Sequence, residues 1–299
     1  MEKNLKSEKL VKILIFSKIE NVKISIFFFK LLIFEIKIHN HCSIKTLLGS
    51  RPNARGPEGV PQPSEMEEEV EEITISPLED SPAYETSSLK LNAPTEDMVA
   101  DGSQVQFDFE VANYELGVQT EGAKEKMLAN SGKGQHIHFI LDNDPYSAHY
   151  EPSFTKDLEP GNHLLVAFLS RSYHESVKND NSFVAKKLTV GDAQDDELAN
   201  LDLTKPHLIY SRPKGTYSGE GTDKVMLDFF LLNTDLSADG NKVRATVNGQ
   251  EFMIDTWEPK VMEGLPMGEN TIKLELLDAE GNLVESPFNP VTRTVTLEK

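Results

Sequence analysis

The sequence predicts an all-β protein: two tandem Ig-like β-sandwich domains related by internal duplication, behind a disordered acidic N-terminal tether. Three observations carry this prediction. First, one unit is written twice. "VQFDFEVANYEL" (105–116) lies over "VMLDFFLLNTDL" (225–236) at an offset of 120, and "HYEPSFTKDLEPGNHLLVAFL" (149–169) lies over "TWEPKVMEGLPMGENTIKLEL" (256–276) at 107. "KKLTV" (186–190) and "RTVTL" (293–297) close both copies at the same 107. Self-similarity at a fixed spacing marks a repeated structural unit. Second, each copy reads as short alternating strands separated by Gly, Pro, Asn and Asp, the rhythm of a β-sandwich. Third, "RPNARGPEGVPQPSEMEEEVEEITISPLEDSPAYETS" (51–87) is rich in Pro and Glu. Such a stretch buries too little apolar surface to offset its ordering entropy.

In chain order, residues 1–50 read as a leader. They carry nine Lys against four Glu, and the run "ISIFFFKLLIFEIKI" (Ile24–Ile38) is apolar but broken by Lys30, Glu35 and Lys37. It resembles the basic and apolar regions of an export signal and falls short of the roughly 20 apolar residues that span a bilayer. Residues 51–87 are the expected disordered linker. Residues 88–192 form the first sandwich, 193–205 a linker and 206–299 the second sandwich. Within the second, "NKVRATVNGQEF" places Val243, Ala245 and Val247 on one face and Lys242, Arg244 and Thr246 on the other, with "NG" as the hairpin turn. The change of offset from 120 to 107 puts a 13-residue insertion into copy one, within "GVQTEGAKEKMLANSGKGQ" (117–135).

Composition narrows the function classes. The formal net charge is −19; with +5 in the first 50 residues, the rest carries −24. A body that acidic repels phosphate backbones, so no nucleic-acid partner is expected. A single cysteine, Cys42, excludes an intrachain disulfide and multi-thiolate zinc sites. No nucleotide-binding or nucleophile-elbow motif is present. The leader and tether predict an extracytoplasmic protein, periplasmic or at the cell surface, touching membrane only through its N-terminal segment.

The chemistry-bearing residues cluster in copy one. The stretch "GQHIHFILDNDPYSAHYEP" (134–152) holds three of the chain's eight histidines. Laying "QHIHFIL" on "NKVRATV" puts Ile137, Phe139 and Leu141 in the core, and His136 and His138 on Lys242 and Arg244, facing outward. His149 falls on Thr256 or Asp255, His163 on Asn270, and His174 in the turn matched by Gly281. All five are absent from copy two, so the fold does not require imidazole. Outward positions Leu164, Val166 and Phe168 are apolar where copy two has Thr271, Lys273 and Glu275. The insertion, the second domain or a protein partner must cover that face.

An H-x-H pair on one strand face supplies two ligands at fixed spacing, and imidazole suits zinc and copper. The candidate metal ligands are therefore His136, His138, His149, His163 and His174, for copper or zinc. Asp142, Glu151 and Glu175 are candidate oxygen ligands or acceptors for the outer ring nitrogens, and Arg171, Tyr173 and Glu175 are candidates to grip an anionic ligand. The leading reading is a non-enzymatic binding protein. Three others stand beside it: an interaction module using the apolar outer face of copy one, a pH switch of clustered imidazoles, and a metal-dependent enzyme with Glu151 or Glu175 as base. Packing against Tyr146, Tyr150 or Tyr173 would explain the histidines with no function at all.

The succession "HIHFILD", "HYEPSF", "LEPGNHLL", "SYHES" and "KKLTV" resembles a bacterial domain family, seen in exported or lipid-anchored proteins of Bacteroidetes type, that has no assigned activity. The family's pattern is an H-H-H-L-I-D strand, a later H, then P-G-x-H-T-L and another H before a closing strand. The resemblance covers about 135–190 and implies a small β-sandwich with histidines at His136, His138, His149, His163 and His174. This chain departs from the pattern at Ile137, which replaces the middle histidine, and near Val177, where a further histidine is missing.

Overall fold

The computed structural model describes residues 72–101, 104–192 and 196–299, which fall in one compact unit. A short strand, β1 (Thr74–Pro77), comes first. Copy one then contributes β2 (Ser88–Ala93), β3 (Met98–Val99), β4 (Val105–Ala112), β5 (His136–Leu141), β6 (Ser147–His149), β7 (Ser153–Lys156), β8 (Gly161–Ser170) and β9 (Phe183–Val190). Copy two repeats the series as β10 (His207–Arg212), β11 (Gly215–Ser218), β12 (Val225–Leu232), β13 (Lys242–Val247), β14 (Gln250–Ile254), β15 (Lys260–Glu263), β16 (Gly268–Leu277) and β17 (Val291–Glu298).

The duplication is borne out strand for strand. Copy one pairs β2-β4-β7 in one sheet and β3-β9-β8-β5-β6 in the other; copy two pairs β10-β12-β15 and β11-β17-β16-β13-β14. Both contain a parallel pair, β3 with β9 and β11 with β17, and the same bulge, between Leu91 and Ala93 and between Tyr210 and Arg212. Alternation sets the two inner cores. Phe107, Phe109, Ile137, Phe139, Leu165, Ala167 and Leu169 fill the first, and Leu227, Phe229, Val243, Ala245, Val247, Leu274 and Leu276 the second. Asn248 and Gly249 take φ of 49° and 88°, as a two-residue hairpin turn requires.

A third core lies between the sandwiches. Leu164, Val166 and Phe168, whose apolar faces needed a cover, pack with Ile140 and Tyr146 against Ile209, Phe230 and Leu232 of copy two. The second domain is therefore the cover. The insertion adds a smaller cluster, with Ala123 and Leu128 on Tyr173, Met226 and Val261. Residues 198–203, placed in a linker by the sequence, also lend Leu198, Leu201 and Leu203 to the junction. The face proposed for a protein partner is thus filled from within the chain.

The expected disordered linker needs correcting at its C-terminal end. Thr74–Pro77 is β1, an edge strand added antiparallel to β15 of the second sandwich, with Ile73 in that sandwich's core. The chain then crosses to copy one, where Ser87 Oγ lies 2.6 Å from Ser182 Oγ. The physical reason is local: "ITISPL" alternates apolar and polar residues and finds an open sheet edge, which composition averaged over 37 residues hides. The leader and the first part of the linker lie outside the described residues.

Candidate metal centre

Strand register decides which histidines meet. On β5, Ile137 and Phe139 turn into the core of copy one, so His136 and His138 turn toward the junction, where both are fully buried. His174 arrives from the turn after β8. That turn is closed by Arg171 N–H to Glu175 O and His174 N–H to Arg171 O, as Asp278 N–H to Asn282 O and Gly281 N–H to Asp278 O close its twin. Gly281 sits there at φ +84° and His174 at φ +71°. The left-handed region costs a residue with a Cβ roughly 1–2 kcal/mol, and glycine almost nothing. Copy one accepts that cost and thereby brings a third imidazole onto the strand pair.

Ligand atoms of His136, His138 and His174 all lie within 4.8 Å of one another. His136 Nε2 is 3.0 Å from His138 Nε2 and 3.1 Å from His174 Nδ1. His136 Nδ1–H donates to Gly134 O at 2.8 Å, so Nε2 of that neutral ring carries a lone pair. One lone pair then faces two ring nitrogens, a contact that hydrogen bonding satisfies poorly and a cation satisfies well. Tetrahedral zinc with Zn–N of about 2.0–2.1 Å sets its ligand nitrogens about 3.3 Å apart, close to the spacing here. The outer nitrogens are also held: Gly134 O takes that of His136, and Ser211 Oγ lies 3.2 Å from Nδ1 of His138. Such bonds fix the tautomer that ligates.

Electrostatics keep the three rings neutral. Burial lowers His136 to about 4, against the Gly134 carbonyl, with Arg212 and Lys214 pushing the same way as burial. Burial chiefly, then the neighbouring imidazoles, lowers His138; burial and then Arg212 lower His174. Neutral imidazole is the form that binds metal. Around them, Tyr146 stacks on His138 with ring centres 3.5 Å apart, and its hydroxyl is 3.1 Å from His174 Nδ1.

The other two histidines stand apart. His163 donates from Nδ1 to Asp142 at 2.6 Å and from Nε2 to Glu159 O at 2.8 Å, which leaves no lone pair for a metal; the Asp142 bond raises its pKa. His149 pairs with Ile137 across the hairpin, as Ile254 pairs with Val243. It therefore replaces Ile254, neither Thr256 nor Asp255, because the copy-one turn is one residue longer. Its ring stacks 3.4 Å from Phe154, and burial lowers its pKa to about 4.

Of the proposed oxygen and anion ligands, none joins the triad. Asp142 also accepts from Leu164 N–H at 2.7 Å and so ties the turn. Glu151 is exposed. Arg171 and Glu175 form a buried pair at 2.9 Å, Arg171 also donates to Pro82 O, and Tyr173 hydroxyl donates to Ser81 at 3.0 Å. These three hold the segment after β1 onto copy one. Tyr146, one of the three tyrosines expected to pack on the histidines, is at the site; Ser211, Arg212 and Lys214 are the neighbours that sequence reading did not bring there. Only the junction with β10 reveals them.

Neither a family model nor a curated protein matches the chain. Among solved structures, it is similar to the fibronectin(III)-like modules of CbhA from Clostridium thermocellum, at 12% identity over 70% of this chain and 94% of that one, with a TM-score of 0.25. It is also similar to the SGBP-B protein of the Bacteroides ovatus mixed-linkage glucan utilization locus, at 10% identity over 71% and 70% of the two chains, with a TM-score of 0.22. The neural ectodermal development factor IMP-L2 gives 12%, 71%, 94% and a TM-score of 0.23. Superpositions this loose reflect sandwich architecture and carry no functional argument.

Proposed function

We propose that the chain is an exported or surface-tethered, non-enzymatic binding protein whose His136, His138 and His174 bind one zinc or copper ion at the junction of its two sandwiches. The observation that carries this reading is His174 itself. It occupies a left-handed turn position that the duplicate gives to Gly281, and that strained backbone delivers its Nδ1 to 3.1 Å from His136 Nε2. Strain kept where a glycine would serve points to function. Export rests on the signal-like leader and acidic tether of the sequence.

The test is elemental analysis of the tag-free full chain, followed by calorimetric titration with Zn²⁺ and Cu²⁺. One ion per chain is expected. His174→Gly copies the backbone choice of copy two, so it should melt within about 1 kcal/mol of wild type while metal affinity falls more than about tenfold. Absence of micromolar binding for both ions, or unchanged affinity in His174→Gly, would sink the reading.

A further inference from the structure

We propose that Tyr146 is the fourth ligand of this centre, bound as a phenolate, so that the site is a closed three-histidine, one-tyrosine cage for a divalent ion. The inference rests on the metal reading above and adds to it the charge, the closure and the class of ion.

Geometry places the oxygen. The Tyr146 hydroxyl lies 3.1 Å from His174 Nδ1, the same nitrogen that faces His136 Nε2 at 3.1 Å. Its ring runs nearly parallel to His138, with an interplanar angle of 13° and centres 3.5 Å apart. Tyr146 is 3% exposed, so its oxygen is not a surface group that happens to lie near.

Charge supplies the second argument. Lys214 Nζ sits 3.9 Å from the Tyr146 ring centre and donates to the Tyr146 backbone carbonyl, not its hydroxyl, at 2.6 Å, and Arg212 Cζ is 5.3 Å from the same ring. Arg212 is 7% exposed, and its Nε has no hydrogen-bond partner. Among the described residues neither Arg212 nor Lys214 forms an ion pair. Three neutral imidazoles and a divalent ion would add two further positive charges to a buried region that already holds Arg212 and Lys214. The nearby carboxylate of Asp228, opposite Arg212 on β12, is engaged by Lys178 and Ser176. Uncompensated buried charge is costly. A phenolate at Tyr146 places one negative charge between the metal and the two cations, which already lie against its ring. On coordination the tyrosine O–H bond breaks, a metal–oxygen bond forms, and the proton passes to solvent; no electron is transferred.

The duplicate supplies the third. Continuing the β5–β6 register by one residue, His138 and Tyr146 occupy the positions of Arg244 and Glu251, which lie diagonally across β13 and β14, opposite Met253 and Thr246, with their charged groups 4.0 Å apart. Copy two uses this cross-strand pair as an exposed ion pair, and copy one turns it into a buried imidazole and phenol. Nitrogen and phenolate donors without thiolate or thioether favour Cu(II) or Zn(II) over Cu(I). Four protein ligands leave no open position, the pattern of metal sites that hold structure rather than catalyse.

The experiment loads the tag-free full chain with Cu²⁺ and records its visible absorption beside the metal stoichiometry. A phenolate-to-copper charge-transfer band is expected in wild type and in Tyr150→Phe. In Tyr146→Phe the band should vanish, with copper still bound at least about tenfold more weakly. Copper bound without the band, or a band that survives Tyr146→Phe, overturns the tyrosine ligand and leaves the histidine site standing. Absence of bound copper and zinc overturns both. If Tyr146→Phe does not fold, resonance Raman of wild type carrying ring-deuterated tyrosine, compared with Tyr150→Phe, decides. Shifted phenolate modes present in both support Tyr146, and their absence overturns it.

Discussion

The two sandwiches share one strand order, one bulge and one turn geometry, yet they spend the same positions differently. Where copy one has His136, His138, Tyr146 and His174, copy two has Lys242, Arg244, Glu251 and Gly281. In copy two these positions face water: Arg244 reaches Glu275 at 2.8 Å and Glu251 at 4.0 Å. In copy one the same face is pressed against β10 and β12, where ion pairs would lose their solvent. The difference teaches that burial came with the chemistry. Covering one outer sheet face with the second domain removes water from four positions, and neutral imidazole and phenol are residues that tolerate that.

The comparison holds only if the junction is a core in its own right, and Phe230 tests it with the largest expected effect. Its ring is fully buried, stacks on Phe168 at 4.9 Å and meets Trp257 edge-on at 5.0 Å. Phe230→Ala should cost about 3–5 kcal/mol and lower one common unfolding transition in urea. A loss below about 1 kcal/mol, or separate transitions for the two sandwiches, would mean that they are independent domains whose contact contributes little.

Acid should separate the copies next. His136 titrates near 4 in the fold, chiefly through burial, against an ordinary 6.5. Between those values the unfolded chain binds the extra proton and the folded chain does not. Stability is therefore full above pH 6.5 and is lost as pH falls toward 4, by roughly 3 kcal/mol from this ring alone. His163, whose pKa is raised, works in the opposite sense and cannot produce an acid loss. Urea melts of the metal-free chain at pH 7, 5.5 and 4.5 measure the effect. A profile that is flat over that range would contradict the burial of the triad.

Much of this was legible in the sequence because it is periodic. Duplicated segments revealed the two copies, and alternation on "QHIHFIL" placed His136 and His138 away from the core of copy one. The apolar Leu164, Val166 and Phe168 announced a covered face. Three things were not legible, each for a physical reason. The strand β1 pairs with β15 across nearly 190 residues of chain, which no local pattern records. Which of Tyr146, Tyr150 and Tyr173 stacks on His138 depends on the hairpin, whose turn, longer by one residue, also misplaced His149. The face of copy two that covers the site is written in "VMLDFFLL", apolar on both sides of the strand. Such a run reads simply as buried, without saying against what.

The smallest expected effect bears on the sharpest part of the comparison, which histidines are ligands. His163 and Asn270 perform one task at equivalent positions. His163 bonds Glu159 O and Asp142, while Asn270 donates to Pro266 O at 2.8 Å and accepts from Asn248 at 2.7 Å. The backbone bonds of the flanking turn also match: Asp142 accepts from Leu164 N–H as Asn248 accepts from Thr271 N–H. An asparagine side chain can donate both its amide hydrogens to Asp142 and Glu159 O, so His163→Asn should cost less than about 1.5 kcal/mol, the range of one net hydrogen bond. Metal stoichiometry and affinity should not change. If His163→Asn instead removed the ion, the five-histidine pattern would describe one site, and the duplicate would have misled by offering an asparagine for a ligand.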